Sequence, residues 1–304
     1  MNYSSRGLHS FLIASIFLFS IIKPLSALPT FEPFRMRIFR KAYPDVSFIT
    51  KYDTEKKDWL ITISVDDRTA ELYWSNGKML PADKLDEKDK YWSLLYEYAE
   101  KVPDPEEFTD SDIEQIREFS STENRQNGAG TPPFFYDVVY DCETQASTEK
   151  HITRFTFLGK RVNLHERLKK PLEEVEKEIN KEAETDPEIA AFVKKISQEY
   201  GYSWRKIRDS SSRSFHSIGL ALDILPTGWN QKNIYWAWRR DIDPDNWMLT
   251  PLSRRWMPPE KVIKIFENNG FIWGGKWAIW DDMHFEYHPE LILNQQLKHI
   301  FTQD

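Results

Sequence analysis

Cysteine is nearly absent. Cys142 is the only one among 304 residues. No disulfide can form within the chain, so its stability must come from a packed core. A cysteine-rich zinc site is excluded for the same reason, and any metal must be held mainly by histidine and carboxylate. Positive charge is also short: 41 Lys and Arg stand against 48 Asp and Glu, a net charge of -7. A nucleic-acid binder is usually basic, so no nucleic-acid partner is expected. There is no internal repeat. Mean hydropathy is -0.62, and only one stretch is apolar enough to concern a membrane. What the chain does have is 40% hydrophobic and 14% aromatic residues, ample for the core of one large domain or two small ones.

The apolar stretch is N-terminal. Arg6 lies in a short polar lead, Phe11 to Ile22 is apolar, Pro24 breaks the run, and Leu25-Ser26-Ala27 offers a small residue for cleavage. This is the layout of a secretory signal peptide over residues 1–27, and its core is short for a membrane span. Leu25 fits the small-residue rule poorly, which leaves an uncleaved signal anchor as the competing reading. No cysteine follows the apolar core, so a lipoprotein anchor is excluded. The mature chain is expected to work in the periplasm or as a secreted protein, without stable membrane insertion, as a monomer.

Residues 28–130 read as a first region. Asp58–Val65 and 70–74 read as strands, with 66–69 as the turn between them. Trp92–Tyr98 reads as a helix. The Ser, Asn, Gly, Thr and Pro residues of 120–133 read as a linker, and a second region runs over 131–304. Within it 155–159 reads as a strand. Leu168, Leu172, Val175 and Ile179 recur at helical spacing, so 164–184 reads as an amphipathic helix, started or kinked at Pro171. A second helix is expected over 187–200, stopped by Gly201. A third runs over 258–269 and a fourth over 289–301. Short strands among helices indicate an α+β fold.

Two segments concentrate chemistry. The first is Ser214-Phe215-His216-Ser217-Ile218-Gly219-Leu220-Ala221-Leu222-Asp223 and the second is Trp280-Asp281-Asp282-Met283-His284-Phe285-Glu286-Tyr287. His216 and Asp223 are an odd number of residues apart, which suits a loop leading into a strand better than one flat strand. Gly219 permits the turn, and Ala221 keeps the strand close to its neighbour. His284, Glu286 and His288 alternate along a second expected strand, with Asp281 in the turn before it. His216, Asp223 and His284 could hold one metal with a position left for water, and Asp281 could serve as the base. The same residues could equally form structural His–Asp hydrogen bonds. The other histidines have plainer readings. His9 leaves with the signal, His151 and His165 are surface or capping residues, His288 starts a helix, and His299 faces solvent.

Ser214-x-His216-x-x-Gly219-x-Ala221-x-Asp223 followed by Asp281-x-x-His284-Phe285 resembles the signature of the VanY-type zinc D,D-carboxypeptidase and L-alanyl-D-glutamate endopeptidase family. Trp273-Gly274-Gly275-x-Trp277 resembles its endolysin-like branch in particular. The likeness covers residue 155 to the C-terminus and assigns nothing to the first region. It implies a hedgehog/DD-peptidase-like fold, a small antiparallel sheet flanked by helices, with an N-terminal extra region. It implies Zn²⁺ on His216, Asp223 and His284, with Asp281 as the catalytic acid/base. It implies an upstream arginine for the oxyanion, a role open to Arg205, Arg208 or Arg213, with Arg205 favoured. Arg213 would then meet a substrate carboxylate or be a solvated charge. Ser214 would contact substrate or support the metal loop, or simply form a turn.

The implied substrates are peptidoglycan stem peptides, cut either at the terminal D-Ala or between L-Ala and D-Glu. Nine of the twelve tryptophans lie at or after Trp204; core packing explains most of them, and a groove for glycan or peptide is the sharper alternative. Net negative charge does not attract an acidic cell-wall peptide, so binding would depend on local Arg and Lys. Two other readings compete: a non-catalytic zinc-containing cell-wall-binding protein of the same fold, and an envelope adaptor whose role lies in residues 28–130. Retention of Asp281 beside all three ligands speaks against the binding protein.

Overall fold

The chain begins its described structure, a computed structural model covering residues 32–301 with side chains through Leu297, in a short helix against a three-stranded meander. The expected signal segment and His9 lie outside the described residues, as does the side chain of His299. Helix α1 (Met36–Ala42) leads to β1 (Ser47–Asp53), β2 (Asp58–Val65) and β3 (Arg68–Tyr73), paired antiparallel in that order. Asp53 Oδ1 accepts from the backbone of Glu55 (2.8 Å) and Lys56 (3.0 Å), which turns β1 into β2. Asp66 takes a left-handed φ of 51° in the β2–β3 turn. Along β2 the period of two buries Ile61, Ile63 and Val65.

Trp92–Tyr98 is not helical. The Trp92 amide donates to Gly130 O (2.9 Å) and the Leu94 amide to Gly77 O (2.8 Å), while Leu94, Leu95 and Tyr98 are buried. Contacts distant in sequence take the amides that a helix would have used. The stretch 120–133 carries the end of α2 (Asp110–Ser120) and α3 (Thr122–Asn127), and Ser121 Oγ caps α3 by accepting from Asn124 N (3.1 Å). Helix α4 (Phe134–Tyr140) buries Phe135, Tyr136, Val138, Val139 and Tyr140, and α5 (Gln145–Glu149) follows.

Strands β4 (Ile152–Phe157) and β5 (Lys160–His165) form a hairpin, so the expected helix over 164–184 begins later, as α6 (Lys169–Ala183). Pro171 sits in its first turn, where an amide proton is not needed. Helix α7 (Pro187–Lys195) is likewise shorter than expected. Residues Ile196–Tyr200 form β6, because their backbone pairs with the next strand. Helical spacing in the sequence did not reveal that partner.

The sheet that matters for function has the order β6-β7-β9-β8, with β7 (Ala221–Pro226), β8 (Phe271–Trp273) and β9 (His284–Tyr287), all neighbours antiparallel. All six residues of β7 are buried. Helices α8 (Trp236–Ile242), α9 (Glu260–Asn268) and α10 (Pro289–Phe301) complete the α+β architecture of small antiparallel sheets flanked by helices. One hydrophobic cluster runs from Met36 and Phe39 through Phe135, Val175 and Leu222 to Phe266, Phe285 and Leu291. No helix among the described residues is long and apolar enough to cross a membrane.

Glu199 of β6 is 8% exposed, and neither carboxyl oxygen has a partner. Burial raises its pKa to about 8, with Glu176 adding to the rise and Lys160 opposing it. The folded state therefore holds a proton that the unfolded chain releases near 4.5. Stability should fall as pH rises through that window, by at most about 1.4 kcal/mol per pH unit from this group. Urea unfolding at pH 5, 6.5 and 8 should show Glu199→Gln gaining on the wild type as pH rises. A constant difference between the two would refute this account.

Candidate metal centre

The centre is built on one cross-strand pair. Asp223 on β7 stands directly opposite His284 on β9, so both side chains leave the sheet on the same face. His284 Nδ1 lies 2.7 Å from Asp223 Oδ1. His216 comes from the 3₁₀ turn Phe215–Ser217 ahead of β7. Gly219 closes this turn with a φ of 77°, and a Cβ there would stand 2.7 Å from the His165 amide nitrogen. The turn is capped by Ser214, whose Oγ accepts from His216 N (3.3 Å) and whose carbonyl accepts from Ser217 Oγ (2.6 Å). One potential ligand atom from each of His216, Asp223 and His284 lies within 4.8 Å of the others, and all three residues are buried.

The ring nitrogens divide their duties. His216 Nδ1 meets Gly201 O at 2.7 Å, which leaves Nε2 for the site. That Nε2 is 3.2 Å from Asp223 Oδ2 but is not aligned for a hydrogen bond, so it is a buried nitrogen without one. His284 Nε2 meets Glu286 Oε1 at 2.8 Å, which leaves Nδ1. Two imidazole nitrogens, each oriented by a hydrogen bond from its other ring nitrogen, and a carboxylate suit a zinc ion with a position left over. Burial would raise the Asp223 carboxyl, but His216 and His284 hold it well below the usual range. Burial would lower His284, but Asp223 and Glu286 push it well up. The site thus favours positive charge at its centre, whether protons or a metal cation supply it.

Asp281 is in the turn before β9, as expected. Its Oδ1 is buried without a partner. Burial raises its pKa well above the carboxylate range, His284 opposes that, and Asp223 adds to it. Its amide donates to Gly274 O (3.0 Å), and a Cβ on Gly274 would lie 2.7 Å from Asp281 O. Only glycine lets the chain cross that closely. The next residue anchors the turn: Asp282 is fully buried, and Arg255 Nε donates to its Oδ2 (3.0 Å) while Nη2 donates to its Oδ1 and to Gly275 O (3.1 Å). The Arg255 guanidinium also lies 4.6 Å from the Trp280 ring centroid. Burial pushes Asp282 up to about 6 against the pull of Arg255. Behind the loop, Tyr98 OH donates to Glu267 (2.7 Å) and accepts from Trp273 N (3.0 Å), and Lys276 pairs with the same carboxylate.

The three arginines differ. Arg205 is exposed, and none of the described hydrogen bonds or ion pairs engages its side chain. Arg208 pairs with Asp241 at 2.8 Å. Arg213 bonds Asp137 (2.5 Å) and Cys142 O, and its guanidinium is 5.8 Å from the Trp204 ring centroid. Cys142 itself is buried, with its thiol raised by that burial. His165 caps as expected, since its Nδ1 accepts from Arg167 N (3.2 Å), but it is not at the surface. It is 1% exposed, and burial lowers its pKa to about 4. Sequence reasoning missed Glu286, His288 and Glu290 as partners of the centre. Their signal was the every-second-residue alternation of His and Glu from His284 to Glu290.

Residues 208–287, which contain the three clustered residues and Asp281, match a family described as D-alanyl-D-alanine carboxypeptidase, one of the M15 peptidases. Residues 35–96 match a family described as a domain of unknown function. Each match covers less than half of the chain. The first supports an M15-type peptidase domain acting on a peptidoglycan-type substrate. No curated protein matches the chain, and no solved structure does.

Replacing one partner of the Arg255–Asp282 pair strands a buried charge. Arg255→Leu should lower unfolding stability by about 3–5 kcal/mol in urea titrations. Arg255→Lys keeps the charge but loses the two-pronged contact, and should recover only part of that loss. A leucine variant as stable as wild type would contradict this role.

Proposed function

We propose that the chain is a zinc metallopeptidase that hydrolyses peptide bonds in peptidoglycan stem peptides outside the cytoplasm. The observation that carries this reading is the convergence of His216, Asp223 and His284 beside a buried carboxyl, Asp281, that keeps an oxygen free. His216 would hold the ion through Nε2, His284 through Nδ1 and Asp223 through its carboxylate. Zinc, when bound, supplies a Lewis acid that polarises a carbonyl and lowers the pKa of water from about 15.7 to near 7.

The protein's own groups do the rest. Asp281 takes a proton from the attacking water at its unpartnered Oδ1 and delivers it to the leaving amine. Arg205, exposed and unengaged, stabilises charge developing on the scissile carbonyl oxygen. Ser214 holds the turn that presents His216. Arg213 is already committed to Asp137 and Cys142 O, with the Trp204 ring beside its guanidinium, so it ties this stretch to α4 instead of meeting a substrate carboxylate.

Two bonds compete as the substrate. The description of the matched family favours the terminal D-Ala, and the Trp273-Gly274-Gly275-x-Trp277 stretch favours the L-Ala–D-Glu bond. Mass spectrometry of peptidoglycan fragments after incubation with the zinc-loaded chain should show either loss of one D-Ala or stem peptides beginning at D-Glu. Asp281→Asn should slow the cleavage by about 10²- to 10⁴-fold, and Arg205→Ala by about 10²- to 10³-fold. If the zinc-loaded wild type leaves both bonds intact, this function is wrong.

A further inference from the structure

Glu286 is not the end of the hydrogen bonding that starts at His284. Its second oxygen, Oε2, meets His288 Nε2 at 3.1 Å. His288 Nδ1 meets Glu290 Oε1 at 2.9 Å. Glu290 then accepts from two hydroxyls, Tyr136 on Oε1 (3.2 Å) and Tyr43 on Oε2 (2.7 Å). The six residues from His284 to Tyr43 are 6%, 8%, 1%, 0%, 2% and 3% exposed in the order His284, Glu286, His288, Glu290, Tyr136, Tyr43.

Such a chain is a costly way to fill a core. Buried polar groups destabilise unless every one is bonded, and apolar residues of the same volume often serve stability as well or better. Here the satisfaction is complete: both oxygens of Glu286, both nitrogens of His288 and both oxygens of Glu290 are engaged. The order of the links has a use. His284 can offer Nδ1 to a cation only while Nε2 has an acceptor, and Glu286 stays aimed at Nε2 only while its other oxygen is held. His288 holds that oxygen, Glu290 holds His288, and Tyr43 and Tyr136 hold Glu290. Tyr43 caps the C-terminal end of α1, within residues 35–96, the segment whose family has no described function.

We propose that Tyr43, Tyr136, Glu290, His288 and Glu286 form a positioning chain that fixes the ring orientation of His284, so that the segment of residues 35–96 completes the metal centre instead of acting as a separate module. This inference rests on the zinc reading above. None of these residues touches the reacting atoms; they act through His284.

The test uses the full chain. The zinc dissociation constant is measured by competition with a chromophoric chelator, and the d–d spectrum is recorded with cobalt(II) in place of zinc. Both are done well below the melting temperature, with near-UV circular dichroism confirming the fold. Glu290→Gln should weaken zinc binding by about 10- to 100-fold and shift the cobalt bands. Tyr43→Phe and Tyr136→Phe should each weaken it by a smaller factor, about threefold or more, and remain informative should Glu290→Gln not fold. Tyr73→Phe, which removes a hydroxyl bond to Asp53 (2.8 Å) in the same segment but off the chain, should change neither readout. A purely structural role would lower the melting temperature and leave the affinity of the folded protein alone. Folded variants with wild-type affinity and an unshifted cobalt spectrum overturn the proposal while leaving the zinc reading intact. A wild type that binds no zinc overturns both, and shows this before any variant is made.

Discussion

The register between β7 and β9 is the constraint on which the rest of the structure depends. It sets Asp223 across from His284 and Ala221 across from Glu286 on the same face. A slip of one residue would send Asp223 to the opposite face and leave two imidazoles without a shared carboxylate. The small side chain of Ala221 leaves room for Glu286 beside it, so the same register that assembles the cluster also admits the residue that orients its second imidazole. His216 enters from outside the sheet, and its position depends on the Gly219 turn packed against His165.

Around that pair the protein buries charge to an unusual extent. Arg255 with Asp282, Lys276 with Glu267, and the run from His284 to Glu290 are all nearly shielded from water. Such pairs seldom add much net stability, because desolvation offsets most of the attraction. What they add is directionality. An apolar contact tolerates small slides, whereas a two-pronged arginine–carboxylate contact defines one orientation. The loop from Trp273 to Asp281 is gripped from both sides by such contacts, and Asp281 inherits its place from them.

Much of this was legible in the sequence, for identifiable reasons. The strand over Asp58–Val65 was legible between its turn signals, and α9 and α10 were legible from the prolines at their starts. The loop-then-strand arrangement of His216 and Asp223 followed from their odd separation. The failures share one cause. Trp92–Tyr98, 164–168 and Ile196–Tyr200 all read as helix because local spacing allowed it, yet each gives its backbone bonds or its buried faces to partners far along the chain. Glu286 and Glu290 were visible as an alternating pattern, but a pattern does not say what a carboxylate touches. Tyr43 carried no signal at all, since its partner Glu290 stands 247 positions away.

The complete burial of β7 has one more consequence. A strand paired on both sides, with every side chain covered, does not open by local fluctuation; its amides exchange with solvent only when the whole molecule unfolds. The carboxylate at the centre therefore sits on one of the least yielding pieces of the chain. Proteases cannot reach it, and drift in sequence cannot reshape it gradually. Any change in what the site accepts is more readily written into the exposed stretches on either side, over 203–206 and 227–232, where substitutions cost less.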